Sequence, residues 1–160
     1  RTALPSKELV EEAVREHLSI FCADTQPQEL AVLRGLARAW MVRLAEFRPH
    51  LGGAVWRGTA TRHNDIYLQL FCDDPKSAEI ALIDQRVRFE VSTVVGFQGE
   101  EVDALSVALR CEEFGQNVWL HLMVHDHDDL RGALKADANG RTWRGNLTAL
   151  DALMQGDIEK

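Results

Sequence analysis

The chain has 160 residues, 46% of them hydrophobic and 27% charged, a globular composition that excludes an extended disordered chain. Lys and Arg number 18 and Asp and Glu 25, a formal net charge of −7. That balance argues against bulk binding to nucleic acid or to an anionic membrane surface, where excess positive charge supplies the affinity. No apolar run approaches the roughly 18 residues of a membrane span. The length suits a single domain over 1–160 with a sizeable core. The sequence begins with Arg1 rather than Met, which leaves room for a preceding targeting segment. Cys22, Cys72 and Cys111 are odd in number, widely spaced and each set in an apolar stretch. They read as buried thiols of a reducing, cytoplasmic environment.

In chain order, Pro5-Ser6 starts a helix that runs to Phe21, with Glu8, Glu11 and Glu12 at its positive end. After a loop through Pro27, the spacing of Leu30, Leu33, Leu36, Ala37, Trp40, Leu44 and Phe47 predicts a second helix over Gln28 to Phe47. Arg34, Arg38 and Arg43 fall off that stripe and read as a solvated face. These two helices make up 1–48. Residues 51–95 follow, with a Gly-, Val- and Trp-rich strand over Leu51 to Thr61 and a tight turn. Asp65 to Phe71 alternates strictly, with Ile66, Leu68 and Leu70 on one face and Asp65, Tyr67, Gln69 and Phe71 on the other. Asp74-Pro75 caps a helix carrying Ala78, Ile80, Ala81, Leu82 and Ile83, and Arg86 to Val95 reads as a strand. Within 96–160, Gly96 to Asp103 reads as a loop and Leu105 to Val107 is ambiguous. Asn117 to Asp126 reads as a strand, with Val118, Leu120, Leu122 and Val124 on one face. A short helix follows Asp128, a loop runs from Lys135 to Trp143, and Leu147 to Met154 is a last amphipathic helix. The whole predicts an α/β or α+β domain, a small mixed sheet packed with helices and preceded by two N-terminal helices.

The stretch from Gly53 to Leu68 carries the chemistry. It contains Gly53-Ala54, then Arg57-Gly58-Thr59 in a turn, then Asn64-Asp65-Ile66-Tyr67 entering the alternating strand. This order resembles the signature of the nucleotidyltransferase superfamily, of DNA polymerase β-like fold. There, Gly and then Gly or Ser precede Arg-Gly and a short loop, Ser-Asp-x-Asp begins a strand, and a later strand adds a third carboxylate. Gly53, Arg57, Gly58 and Asp65 fall in register, and Glu90 is the expected third acid. The resemblance implies Asp65 and Glu90 as catalytic residues and magnesium ligands. It implies Gly53, Arg57, Gly58, Thr59, Asn64 and Tyr67 as nucleotide-binding residues, with a nucleoside triphosphate as the ligand and an unspecified acceptor. In that chemistry two metal ions clamp the attacking and leaving oxygens of phosphoryl transfer, and Mg²⁺ takes hard oxygen ligands. Two departures stand out. Ala54 replaces the hydroxyl residue, and Tyr67 replaces the second acid. An active transferase and a non-catalytic nucleotide- or protein-binding module of the same fold both follow from this, as does an unrelated interaction domain.

Other candidates have plainer explanations. Asp65 also suits the end of a loop, and Arg57-Gly58 an ordinary turn. Asp73 and Asp74 suit helix capping. His121, His125, Asp126, His127 and Asp128 have the composition of a metal cluster, yet His121 and His125 stand about 13 Å apart along an extended strand. His63 is a candidate acid/base group or a surface histidine. Trp56, Trp119 and Trp143 are candidate base-stacking or packing residues. No phosphate-binding loop ending in Lys-Ser or Lys-Thr is present, nor a Gly-x-Ser-x-Gly elbow.

Overall fold

A computed structural model describes residues 25–95, 99, 101–126 and 144–159, with side chains of the last helix described to 155. Helix α1 spans Gln26–Arg43 and a 3-10 turn follows at Ala45–Phe47. Strand β1 is His50–Gly52 and helix α2 is Gly53–Arg57. Strand β2 is Ile66–Cys72 and helix α3 is Lys76–Asp84. Strands β3, β4 and β5 are Glu90–Val95, Glu101–Cys111 and Gln116–Asp126, and helix α4 is Leu147–Glu159. The sheet order is β1-β2-β5-β4-β3. Only β2 and β5 run parallel; the other three pairs are antiparallel. This is the mixed sheet with helices that the patterning predicts. Among the described residues, no helix is long and apolar enough to cross a membrane.

Alternation sorts the sheet into two faces. Ile66, Leu68 and Leu70 of β2, Leu120 and Leu122 of β5 and Leu105 of β4 are fully buried on one side. Leu33, Ala37, Trp40, Met41 and Leu44 bring α1 onto that side, and Leu150 brings α4. The other side carries Tyr67, Trp119, His121, Ser106 and Glu90, all polar or aromatic and partly open to solvent.

Several local expectations change. The Gly-, Val- and Trp-rich stretch is not one strand. Three residues pair as β1 and the chain then turns into α2, because Gly53 takes a left-handed φ of 71° that breaks the extended run. The predicted strand from Arg86 begins at Glu90, since Arg86 itself sits at φ 60° and closes the end of α3. In α3, Ala78 and Leu82 are buried, while Ile80 and Ile83 face solvent. The stretch expected to loop as far as Asp103 joins β4 from Glu101, and the ambiguous Leu105 to Val107 lies in the middle of that strand. Asp74 caps α3 as expected, its Oδ1 accepting the Lys76 N–H at 3.0 Å. Cys72 and Cys111 are buried as expected, and burial pushes the Cys72 thiol up to about 11. The predicted helix from Ser6, the elements between Asp128 and Trp143, and Cys22 lie outside the described residues.

One arginine leaves the solvated face assigned to it. Arg38 is exposed, with its Nε 2.6 Å from an Asp151 carboxylate oxygen on α4, and Arg43 lies over the Trp40 ring at 4.0 Å. Arg34 is buried, with only 4% of its surface exposed. Its Nε donates to the Val55 carbonyl at 2.9 Å and its Nη2 to the Trp56 carbonyl at 3.0 Å. A helix leaves its last carbonyls without intrahelical donors. In α2 the Ala54 carbonyl accepts from Gly58 and Thr59, and Arg34 serves the next two.

Candidate functional site

The turn between α2 and β2 is anchored from outside itself. Gly58 ends α2 in the left-handed region at φ 91°, a conformation glycine takes without steric cost. Gln26 Nε2 donates to the Ala60 carbonyl at 2.8 Å and to that of Gly58 at 3.3 Å. Glu29 accepts from the backbone N–H and the Nε of Arg62, both at 2.9 Å, and these contacts hold its carboxyl below its ordinary value. Asn64 closes the turn locally, its Oδ1 accepting the Thr61 N–H at 2.8 Å. Thr59 is buried. Asn64 and Thr59 therefore shape the loop that delivers Asp65 to the start of β2.

Gly53 packs against Tyr67. Gly52 is the register partner of Tyr67, and a Cβ built on Gly53 would meet Tyr67 Cδ2 at 3.2 Å. The residue combines a left-handed backbone with a ring beside it, so Gly53→Ala should lower stability by about 1–2 kcal/mol from the conformation alone. A drop in melting temperature no larger than that of an exposed Gly35→Ala control would contradict this assignment.

Across the sheet, one lateral row runs Gly52, Tyr67, His121, Ser106, Glu90. Asp65 and Tyr67, expected on one face, both address the third member of that row. His121 Nε2 lies 2.9 Å from Asp65 Oδ2, and its ring stacks on Tyr67 with centroids 5.0 Å apart. His121 Nδ1 lies 2.9 Å from Ser106 Oγ. Burial, and secondarily the Asp65 charge, push the Tyr67 phenol up. Trp119 continues the aromatic line, 6.4 Å from His121 with its ring plane nearly parallel.

Glu90 does not join Asp65. It sits on the edge strand β3, and β5 and β4 intervene between it and β2. Three strand spacings put the two backbones about 14 Å apart. The donor set therefore does not fit a shared magnesium ion. Asp65 is engaged by a histidine, its neighbour two residues on is a phenol held neutral, and the other acid is at the far edge. Among the described residues, no group of three His, Cys, Asp or Glu is placed to hold a metal ion. His121 and His125 lie on one face of β5 four residues apart, as the spacing requires, and His125 Nε2 bonds Gln69 Oε1. His127 and Asp128 lie outside the described residues, and His63 is exposed in the loop.

Arg57 ends α2, and Arg144 feels its charge. Burial first and the Arg57 charge second lower the Arg144 guanidinium from its ordinary value. Trp56 is turned away from this spot. Its ring lies against Gly145, which bridges to Leu51 through two backbone hydrogen bonds of 2.8 and 3.0 Å.

The two residues that complete the row, His121 and Ser106, were not legible as partners of Asp65. The alternation of β5 did leave Trp119, His121 and Met123 on the polar face. Which strand β5 lies against is a matter of topology and register, which no local spacing encodes.

No protein-family model matches the chain, and no curated protein matches it. Among solved structures it is similar to Cid1 in complex with the UTP analogue UMPNPP, at TM-score 0.46 and 14% identity over 74% of this chain and 37% of that one. It is also similar to the MgGTP-bound Cid1 poly(U) polymerase, at TM-score 0.46 and 13% identity over 74% of this chain and 38% of that one. The chain thus spans less than two-fifths of the length of either.

Proposed function

We propose that this chain is a nucleotidyltransferase-like domain that binds a nucleoside triphosphate beside the Gly53–Tyr67 segment and has lost two-metal catalysis. The observation that carries the reading is the Gly53–Gly58 turn, with two left-handed glycines and Arg57 at the helix end, which leads into Asp65, already engaged by His121. Arg57 and Arg144 are both half-buried guanidiniums, a group whose planar fork suits phosphate oxygens. Gly53, Gly58 and the anchored loop keep the backbone close to that position, and Tyr67 offers a ring where the family pattern has an acid.

In this reading Arg57 and Arg144 hold phosphate oxygens and Asp65 keeps His121 oriented. The alternative is an active transferase that moves a nucleoside monophosphate to an acceptor with Mg²⁺; Asp65 and Glu90 would then need a rearrangement of the sheet.

Thermal unfolding with each of the four NTPs, with and without Mg²⁺, separates the two. Ligand at about 100 times its Kd stabilises by roughly 2.7 kcal/mol. The expected result is a shift that persists without Mg²⁺, survives Asp65→Asn and disappears in Arg57→Ala. A shift that requires Mg²⁺ and is lost in Asp65→Asn would favour the active transferase. No shift with any NTP would overturn nucleotide binding.

A further inference from the structure

The row across the exposed sheet face contains a second arrangement of chemical groups, independent of any nucleotide. Asp65 Oδ2, His121 Nε2, His121 Nδ1 and Ser106 Oγ form a continuous hydrogen-bonded line with both links at 2.9 Å. The three residues come from three adjacent positions of the sheet: the entry to β2, the middle of β5 and the middle of β4. With the carboxylate accepting from Nε2–H, Nδ1 carries the lone pair and Ser106 Oγ–H donates to it. Tyr67 stacks on the ring at 5.0 Å, and Trp119 lies parallel to it at 6.4 Å.

Ser106 also borders a cleft of about 520 Å³, whose other lining residues are Val87, Arg88, Phe89, Glu90, Ala108 and Trp119. Four of these six side chains are apolar, and Arg88 lines the same cleft as the hydroxyl.

We propose that Ser106 is a nucleophile activated by His121 and oriented through Asp65, and that the cleft takes carboxylic esters with a small apolar or aryl acyl group. The roles are those of an acid–base–nucleophile triad, with the two ring nitrogens exchanged relative to the usual serine hydrolase wiring. Ser106 Oγ forms a bond to the carbonyl carbon as its proton passes to His121 Nδ1. The tetrahedral oxyanion faces Arg88. The C–O bond to the alcohol breaks, and the alcohol leaves with the proton from Nδ1. Water then attacks the acyl-serine with Nδ1 again taking the proton. The carboxylic acid departs and Ser106 Oγ–H is restored. Ester and water are the only reactants, so the step balances without metal or redox partner. Asp65 touches neither ester nor water and is a positioning residue.

The test uses the full chain and a fluorophosphonate probe, in which Oγ displaces fluoride from phosphorus. Intact-mass and peptide mapping should find one adduct, on Ser106, and p-nitrophenyl acetate should be hydrolysed. Ser106→Ala should abolish both, and His121→Gln should slow both by about 100-fold or more, the usual contribution of a general base. Asp65→Asn should lower kcat for the ester and change its pH dependence, whereas a smaller folded fraction would lower kcat by the same factor at every pH. Should Ser106→Ala fail to fold, the location of the wild-type adduct still decides. An adduct on other serines, or none at Ser106 above the heat-unfolded chain, overturns the proposal. The two sites share Asp65, Tyr67 and His121, but the thermal shift with NTPs is read out through Arg57→Ala and the ester chemistry through the Ser106 adduct, so failure of one is distinguishable from failure of the other.

Discussion

Replacing Arg34 with Met should lower stability by about 3 kcal/mol, since hydrogen bonds to a charged group each contribute about 1.5–3 kcal/mol and both acceptors would be left without this donor. Met keeps the apolar stem and ends about where Nε does, so lost packing is confined to the space of the guanidinium. What goes is the fork that holds the Val55 and Trp56 carbonyls, and with it the tie between α1 and the end of α2. Arg34→Lys should fall between the two, because an ammonium keeps the charge but cannot match two carbonyls with a planar fork. For a chain of this length, 3 kcal/mol corresponds to a melting temperature lower by roughly 6–12 °C. Arg38→Met is the control, since its ion pair with Asp151 is exposed. If the two variants melt together, Arg34 does not organise the motif turn. The change should also weaken NTP binding, because Arg57 ends the helix whose carbonyls Arg34 holds.

Arg34 also shows how far the sequence could be read. The apolar stripe of α1 is legible from its spacing, and Leu33, Ala37, Trp40, Leu44 and Phe47 are all buried. The same spacing sends Arg34 to solvent, because periodicity assigns a charge outward without seeing the two carbonyls that await it 21 and 22 residues later. The strand at Ile66 is legible because alternation is a local property, and so is the helix after Asp74, whose cap is made by adjacent residues. The short α2 was read as strand because Val55 and Trp56 favour strands; the left-handed Gly53 and the Arg34 fork override that preference.

The candidate site divides along the same line. Asp65 and Tyr67 share a face because they are two apart on one strand, and this was legible. Glu90 is the third acid that the resemblance implies, and a resemblance in motif order carries no information on which strands pair. The sheet order instead inserts β5 between β2 and β4, through a parallel pairing that links residues more than fifty positions apart. His121 thereby comes within 2.9 Å of the Asp65 carboxylate.

The second large effect is expected at Gly145. A Cβ at this position would sit 2.1 Å from Trp56 Cη2, 2.4 Å from Cζ3 and 2.7 Å from Cζ2. Three atoms of one rigid ring cannot all give way by a small rotation. Gly145→Ala must therefore displace Trp56 or detach the strand-like bridge between Gly145 and Leu51. Forcing extra volume into a packed contact costs about 1–3 kcal/mol, and each backbone hydrogen bond lost adds about 0.5–1.5 kcal/mol. A destabilisation of about 3 kcal/mol is expected on either route. Trp56 belongs to α2, so the change should also disturb the Arg57 end of the helix and reduce the NTP-induced thermal shift. Denaturant unfolding of Gly145→Ala, Trp56→Ala and the double variant isolates the contact. Once the ring is gone, the added methyl should cost little, giving a coupling of 1–3 kcal/mol, within the usual range of about 0.5–3 kcal/mol for residues in contact. Additive losses would mean that the ring does not lie on Gly145, and that the segment after Arg144 is not what fixes α2 against β1.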